Sequence, residues 1–159
     1  MKKKLFPFIV LAITIFSCKD VADPSPNLRI EGTYERTSEG NMGWGEAMFN
    51  FVDLLEFKSD GTVRGESYTT EIGSEEILGF REYFSGTYSV ADGKVTISYN
   101  ESFHMGIADI NYMPKEELTL SQGTGLSNEY AIAEDYSELI YICPFNAACM
   151  VSLPYVRVD

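Results

Sequence analysis

The chain has 159 residues, of which 12 are Lys or Arg, 24 are Asp or Glu, one is His and three are Cys. This length suits one ordinary domain, and an apolar fraction of 45% is enough to build a core, which excludes wholesale disorder. A formal charge of −12 excludes nucleic acid as a partner, because phosphate binding needs a basic surface. One His and three Cys are too few for a zinc or iron–sulfur protein, so we expect no metal and no cofactor.

The segment over positions 1–17 has the pattern of a signal peptide. Lysines at positions 2–4 precede an apolar stretch over residues 5–16. A helix of that length rises about 18 Å, too short for a hydrocarbon core of about 30 Å, so the stretch predicts a cleaved signal. The segment ends in Ser17-Cys18 and resembles the bacterial lipoprotein box, which implies cleavage before Cys18 and acylation of this residue. The alternative is an ordinary secretory signal that happens to precede a cysteine.

The resemblance to a lipoprotein implies a place in the bacterial cell envelope. We expect an outer-membrane lipoprotein, periplasmic or surface-exposed, that is held to the membrane through acylated Cys18. Residues 18–28 are polar with two prolines, which is typical of an extended tether, and residues 29–159 form the domain. The segment over 1–17 contains three Lys and no acid, so its removal changes the formal charge from −12 to −15. A solvated acidic surface explains this charge, and attraction of a cationic partner protein is the alternative.

The two cysteines that remain, Cys143 and Cys149, lie in a compartment where disulfides persist. Apolar, strand-like runs lie on both sides of the pair. A hairpin therefore brings the two Cα atoms within the roughly 4.4–6.8 Å that a disulfide requires. We expect a structural disulfide. Two reduced thiols are the alternative, and the spacing differs from the Cys-x-x-Cys of a redox site.

From Leu28 onward, short runs of alternating apolar and polar residues are separated by turn residues. The run over 94–99 is the most regular, and turn pairs such as Asp60-Gly61 separate neighbouring runs. The remaining runs cover 55–58, 63–70, 84–90, 118–120, 139–143 and 149–158. About eight such strands indicate a barrel or a sandwich, and we predict an all-β fold, an antiparallel up-and-down β-barrel with apolar side chains inside and acids in water. Residues 38–51 are predicted to form a long first loop, and 45–54 fit a short helix or a strand.

Several segments, in their order along the chain, resemble the bacterial lipocalin-like lipoprotein domains. They are Gly32-Thr33-Tyr34, 55–62, 86–90 with 93–97, 117–120 and 155–158. The resemblance covers roughly residues 29–159 and implies an eight-stranded barrel with a central cavity and a long first loop over its mouth. It also implies that Tyr34, after Gly32 on the first strand, packs under Arg157 from the end of the barrel. Tyr stands where lipocalins have Trp, so we expect a cation–π contact worth roughly 0.5–2 kcal/mol.

Candidate catalytic groups do not form a recognised pattern in the sequence. His104 is the single histidine, and no motif supplies it with a nucleophile. Adjacent acids such as Glu116 and Glu117 point to opposite faces of a strand and are best explained as solvated charge. We therefore expect a protein that is not an enzyme.

Large aromatic and Met side chains exceed what a tightly packed small barrel needs. We predict that Trp44, Met48, Phe49, Phe51 and Tyr112 line the mouth of the barrel and bind a small apolar or amphiphilic ligand. The alternative is that they plug the interior, which in an eight-stranded barrel just holds side chains or one small ligand. The alternative function is a protein-interaction module, or an inhibitor of a cationic partner protein at the cell surface. We expect the domain to be a monomer.

Overall fold

The structure, a computed structural model, describes residues 24–40, 45–106, 110–121 and 127–159. The predicted signal peptide, Cys18 and Trp44 lie outside these residues. The described elements are helix α1 (Pro26–Ile30) and the strands β1 (Gly32–Gly40), β2 (Phe49–Phe57), β3 (Thr62–Glu71), β4 (Ile77–Ala91), β5 (Lys94–His104), β6 (Thr119–Leu120), β7 (Ser127–Ile132), β8 (Glu138–Tyr141) and β9 (Tyr155–Arg157). A 3₁₀ turn over Lys115–Glu117 precedes β6.

Eight antiparallel strands close into a barrel. Each strand from β1 to β5 pairs with the next, β5 then pairs with β7, and β7, β8 and β9 follow in order. The last strand returns to the first through the pairs Tyr34–Arg157 and Glu35–Val156, which closes the ring. Within the described ranges, strand β6 pairs with the far end of β5 and is an addition to the ring. The predicted antiparallel up-and-down barrel is confirmed.

The local structure near the N-terminal end of the domain differs from the prediction. The prediction of a long loop over 38–51 is wrong, because β1 and β2 pair continuously up to Gly40 and Phe49. For residues 45–54, which fit a short helix or a strand, the structure has a strand that begins at Phe49. The helix instead begins at Pro26, where the Ser25 hydroxyl accepts a hydrogen bond from the Leu28 N–H at 3.4 Å. Serine before a proline in the first turn is an ordinary helix start, and it falls within the stretch predicted as a tether.

One end of the barrel, which we call the closed end, is filled by the hydrophobic core. The rings of Tyr34, Phe57 and Tyr88 pack edge to face there, with centroids 5.6 and 5.0 Å apart. Ile30 of α1 is fully buried against this core, so the short helix covers the closed end. The core also contains Leu55, Val63, Val95, Ile97, Tyr130, Leu139 and Tyr155. Residues 24–159 thus contain every strand that the structure describes, together with the hydrophobic core.

The contact that the resemblance implies between Tyr34 and Arg157 is present. The guanidinium carbon of Arg157 lies 5.7 Å from the centroid of the Tyr34 ring. The same guanidinium donates hydrogen bonds to the carbonyl oxygens of Arg29, at 3.0 Å, and of Glu31. A Cβ at Gly32 would lie 2.8 Å from Nη2 of Arg157, so a larger residue would displace the guanidinium. Arg157 therefore holds α1 against the closed end of the barrel.

Candidate ligand site in the open half of the barrel

The half of the barrel opposite the closed end contains polar and charged side chains. Alternation along β1 turns Arg36 inward two residues after buried Tyr34, and alternation along β2 turns Asp53 inward two residues before buried Leu55. Arg81 enters differently: the pairing of β3 with β4 passes over it, which makes it the extra residue of a β-bulge. The prediction that acids face water is therefore wrong for Asp53, which is stabilised inside the barrel by two cations.

Two arginines share the carboxylate of Asp53. Arg36 donates from Nε and Nη2 to Oδ2 at 3.1 and 2.7 Å, and Arg81 donates from Nη2 to Oδ1 at 2.8 Å. The Asp53 side chain is 14% exposed, whereas Arg36 and Arg81 are 26% and 21% exposed. The guanidiniums are thus more accessible than the carboxylate that neutralises one of their two charges. Short charge-assisted bonds of this kind fix the position of both cations.

A second carboxyl group, that of Glu82, lies on β4 next to Arg81. Burial raises the pKa of Glu82, because removal from water disfavours the charged form. The Ser102 hydroxyl donates a hydrogen bond to its Oε1 at 3.2 Å and partly offsets this effect, and the nearby charge of Asp53 reinforces it. His104 stands opposite Glu82 in the register of β4 and β5, and its side chain is exposed. Glu82 is also an acid inside the barrel, so it too departs from the sequence prediction.

Tyrosines form the wall between the polar cluster and the core. Burial raises the pKa of Tyr130 to about 12 and also raises the pKa values of Tyr99 and Tyr155, so these phenols stay uncharged at neutral pH. The amide of Asn128 donates to the Tyr99 hydroxyl oxygen at 2.6 Å. The Arg36 guanidinium carbon lies 4.5 Å from the centroid of the Tyr155 ring, so this cation is held by a ring as well as by Asp53.

The polar cluster borders a cavity of about 290 Å³, which we call the inner chamber. A larger space of about 520 Å³, the vestibule, extends from it toward the surface. Both spaces are lined by Arg36, Asp53, Asn128 and Tyr130, so they adjoin at the arginine–aspartate cluster. The outer wall of the vestibule is the segment from Cys149 to Leu153.

The vestibule opens where the barrel wall is incomplete. Strand β1 has nine residues, but among the described residues β9 pairs with only Tyr34 and Glu35. On this edge of β1, away from β2, Arg36 and Ser38 line the vestibule together with the Cys149–Leu153 segment. This segment is joined to the end of β8 by the disulfide between Cys143 and Cys149, whose Cα atoms are 5.9 Å apart. The predicted disulfide is confirmed, and it restrains one side of the opening.

The residues predicted to bind ligand are partly brought together. Phe49 and Tyr112 pack edge to face with centroids 6.1 Å apart, and the Phe51 ring lies 5.1 Å from the guanidinium carbon of Arg81. Met48 is 63% exposed, and Trp44 lies outside the described residues. None of the four described residues lines the chamber or the vestibule. Their role in binding stays a prediction, and only Phe51 touches the arginine cluster.

Sequence reasoning misses the charged residues that line the chamber, although a signal for them is present. Arg36 and Asp53 occupy positions that alternation assigns to the barrel interior, at a spacing of two from residues that are buried in the core. A charged side chain on a strand is usually exposed to solvent. At both positions this expectation outweighs the alternation, which places the side chain inside the barrel. Arg81 gives no such signal, because a bulge breaks the alternation of β4.

Over the described ranges no group of three or more His, Cys, Asp or Glu residues is placed to hold a metal ion. In that same part of the chain, none of the helices has the length and apolar character needed to cross a membrane. No family model, curated protein or solved structure matches this chain.

Proposed function

We propose that the protein is a non-catalytic, lipocalin-like binding protein, whose inner chamber receives the anionic head of a small amphiphilic ligand. The observation that carries this proposal is the convergence of Arg36 and Arg81 on Asp53 beside a cavity of about 290 Å³. A barrel whose interior served only for stability would fill this space with apolar side chains, as the closed end does.

The arginine–aspartate cluster carries one excess positive charge in a protein with a formal charge of −12. Its two guanidiniums share the single carboxylate of Asp53. Glu82 also lines the chamber, so we expect an anionic head to bind at the guanidiniums themselves. Arginine suits carboxylate, sulfonate and phosphate groups, because the fixed donors of its planar guanidinium bind two oxygens at once.

The vestibule supplies the apolar part of the proposed site. Met150, Val151 and Leu153 border it on the outside, and the ring of Tyr141 borders it on the barrel side. The vestibule, of about 520 Å³, lies within the size range of small-molecule sites, roughly 300–1,000 Å³, and the chamber, of about 290 Å³, is at its lower limit. An amphiphile with its head at Arg36 and its tail along Met150 would match the polarity of both spaces.

Calorimetry with matched ligands tests the proposal. Residues 24–159 are titrated with decanesulfonate and with decanol, which share a tail and differ in charge. We expect the sulfonate to bind at least tenfold more tightly, and Arg81→Gln to remove most of that difference, since an ionic bond to one guanidinium is worth roughly 1.5–3 kcal/mol. Arg64→Gln, on the exposed outer face of β3, is the matched control and should leave both affinities unchanged.

Two results would count against this function. If neither compound binds, and native mass spectrometry of the domain from its own host shows no retained small molecule, the binding function is wrong. If decanol binds as tightly as decanesulfonate, the arginine cluster is structural. Circular dichroism of Arg81→Gln is recorded alongside, because Arg81 also donates to the carbonyl oxygens of Val52 and Tyr68.

We also propose that the domain is anchored in the bacterial envelope by acylation of Cys18. The support is the sequence of residues 1–18, which resembles a lipoprotein signal. Mass spectrometry of the mature N-terminus from its host is expected to show a modified Cys18. In a Cys18→Ala variant the protein should leave the detergent phase of a Triton X-114 partition. An unmodified N-terminus at any other residue would refute the anchor.

A further inference from the structure

The loop between β8 and β9 is an exposed apolar apex at the open end of the barrel. Phe145 and Val151 are fully exposed, and Met150 is 92% exposed. No charged residue occurs between Glu138 and Arg157, in a chain in which 23% of residues are charged. The apex is held together by the Cys143–Cys149 disulfide, so its side chains protrude from a compact ring of residues.

We propose that this loop inserts into the surface of an uncharged lipid bilayer. Exposed apolar clusters of this kind mark interaction sites, since single exposed apolar residues are common but a contiguous group is not. Hydrocarbon accepts apolar side chains and rejects charge, which matches the composition of the loop, and Phe145 is suited to the membrane interface. The strongly acidic remainder of the chain is repelled by anionic lipid, so the preferred surface is zwitterionic.

A protein partner fits this apex less well than a bilayer does. Stable protein interfaces use roughly 20–30 residues a side, with about one hydrogen bond per 100–200 Å². The loop over Ile142–Pro154 is shorter than that, and only Asn146 and Ser152 carry polar side chains capable of such bonds besides the paired cysteines. Protruding apolar side chains without a polar rim suit a fluid phase that adapts to them.

The position of the loop connects it to the vestibule. Met150, Val151 and Leu153 border the vestibule and are also among the exposed apolar side chains. Insertion of the apex therefore sets the opening of the vestibule at the bilayer surface, where amphiphilic molecules are concentrated. The inference does not require the chamber to bind anything, and vesicle binding is measured without added ligand, so it can fail or hold independently of the proposed function.

Flotation with vesicles tests the inference directly. Residues 24–159, which contain all the described strands and the core, are mixed with phosphatidylcholine vesicles and centrifuged through a density gradient. We expect the wild-type domain to float, and Phe145→Asp and Val151→Asp each to reduce the bound fraction at least tenfold. Leu28→Asp is the matched control, because Leu28 is an apolar residue 53% exposed at the closed end, and this variant should float as the wild type does.

The charge of the vesicles gives a second, independent readout. Replacing about a third of the lipid with phosphatidylglycerol should weaken binding several-fold at low salt, and added salt should restore it by screening. The inference is wrong if the wild-type domain stays in solution, if anionic lipid strengthens binding, or if Leu28→Asp behaves like Phe145→Asp. It is also wrong if sedimentation without vesicles shows a dimer that Phe145→Asp abolishes, which would make the apex a contact between two copies.

Discussion

Replacement of Asp53 by Asn keeps the size of the side chain and removes the charge that Arg36 and Arg81 share. The carboxylate accepts three hydrogen bonds on two oxygens, whereas the amide has one oxygen and presents an NH₂ group to one of the arginines. A hydrogen bond to a charged group contributes about 1.5–3 kcal/mol, and the loss also leaves two cations facing each other. Because the guanidiniums are partly accessible to water, we expect each lost bond to cost the lower part of that range. With one or two bonds lost, the free energy of unfolding should fall by about 2–3 kcal/mol.

Urea unfolding of residues 24–159, followed by circular dichroism, measures this change in the free energy of unfolding. For a domain of this size the same loss lowers the melting temperature by roughly 6–12 °C. Asp92→Asn is the control, since Asp92 is exposed in the turn between β4 and β5, and it should change stability by less than about 0.5 kcal/mol.

The same substitution has the opposite effect on the proposed ligand. Without Asp53 the two guanidiniums are free of their shared anion, and a charge about 5 Å away is worth roughly 3 kcal/mol at an effective dielectric constant of 20. We therefore expect Asp53→Asn to bind decanesulfonate at least tenfold more tightly while it is less stable. A loss of stability no larger than that of the Asp92→Asn control, or weaker binding of the sulfonate, would overturn the reasoning about this cluster.

Three further changes test the barrel itself. Burial raises the pKa of Glu82 above its exposed value of 4.5, so the folded state binds a proton more tightly than the unfolded chain does. The stability that this proton contributes is fully present below pH 4.5 and is lost as pH rises through the folded pKa. Glu82→Gln should therefore gain stability relative to the wild type across that window, and a constant difference in urea titrations would contradict this. Gly65→Ala places a Cβ against a ring on the neighbouring strand and should cost roughly 1–3 kcal/mol, whereas Gly40→Ala meets its nearest atom at 3.4 Å and should be nearly neutral in thermal unfolding. Serine at both Cys143 and Cys149 should cost roughly 2 kcal/mol by opening a short loop, and a wild type whose melting temperature is unchanged by reductant would disprove that.

The architecture was predictable because β-strands that are half buried leave a period of two in the sequence. Val95, Ile97 and Tyr99 alternate with polar residues, and the first two are fully buried in the structure. The turn after β4 shows the same agreement, since Asp92 and Gly93 have φ values of 51° and 71°, as a two-residue hairpin turn requires. Local and global preferences agree at these positions.

The chamber was not predictable to the same degree, because local and global signals conflict there. Asp53 has an inward position by alternation and a charge that favours solvent, and only the approach of Arg36 and Arg81 from other strands resolves the conflict. Arg36 is separated from Asp53 by 17 positions and Arg81 by 28, so no short-range pattern reports the cluster. Such conflicts are expected at functional sites, where a protein gives up local consistency for a purpose.

Helix α1 and the β8–β9 loop lie at opposite poles of the barrel, and this separation has a consequence for the predicted lipid anchor. The segment from Cys18 to Pro24 advances six positions along the chain, and at full extension it reaches about 20 Å. An acyl group at Cys18 would hold the helix-covered pole close to its own leaflet and direct the apolar apex outward. Such a molecule would bridge two facing bilayers, with its acyl group inserted in one and its disulfide-bonded β8–β9 loop in contact with the other.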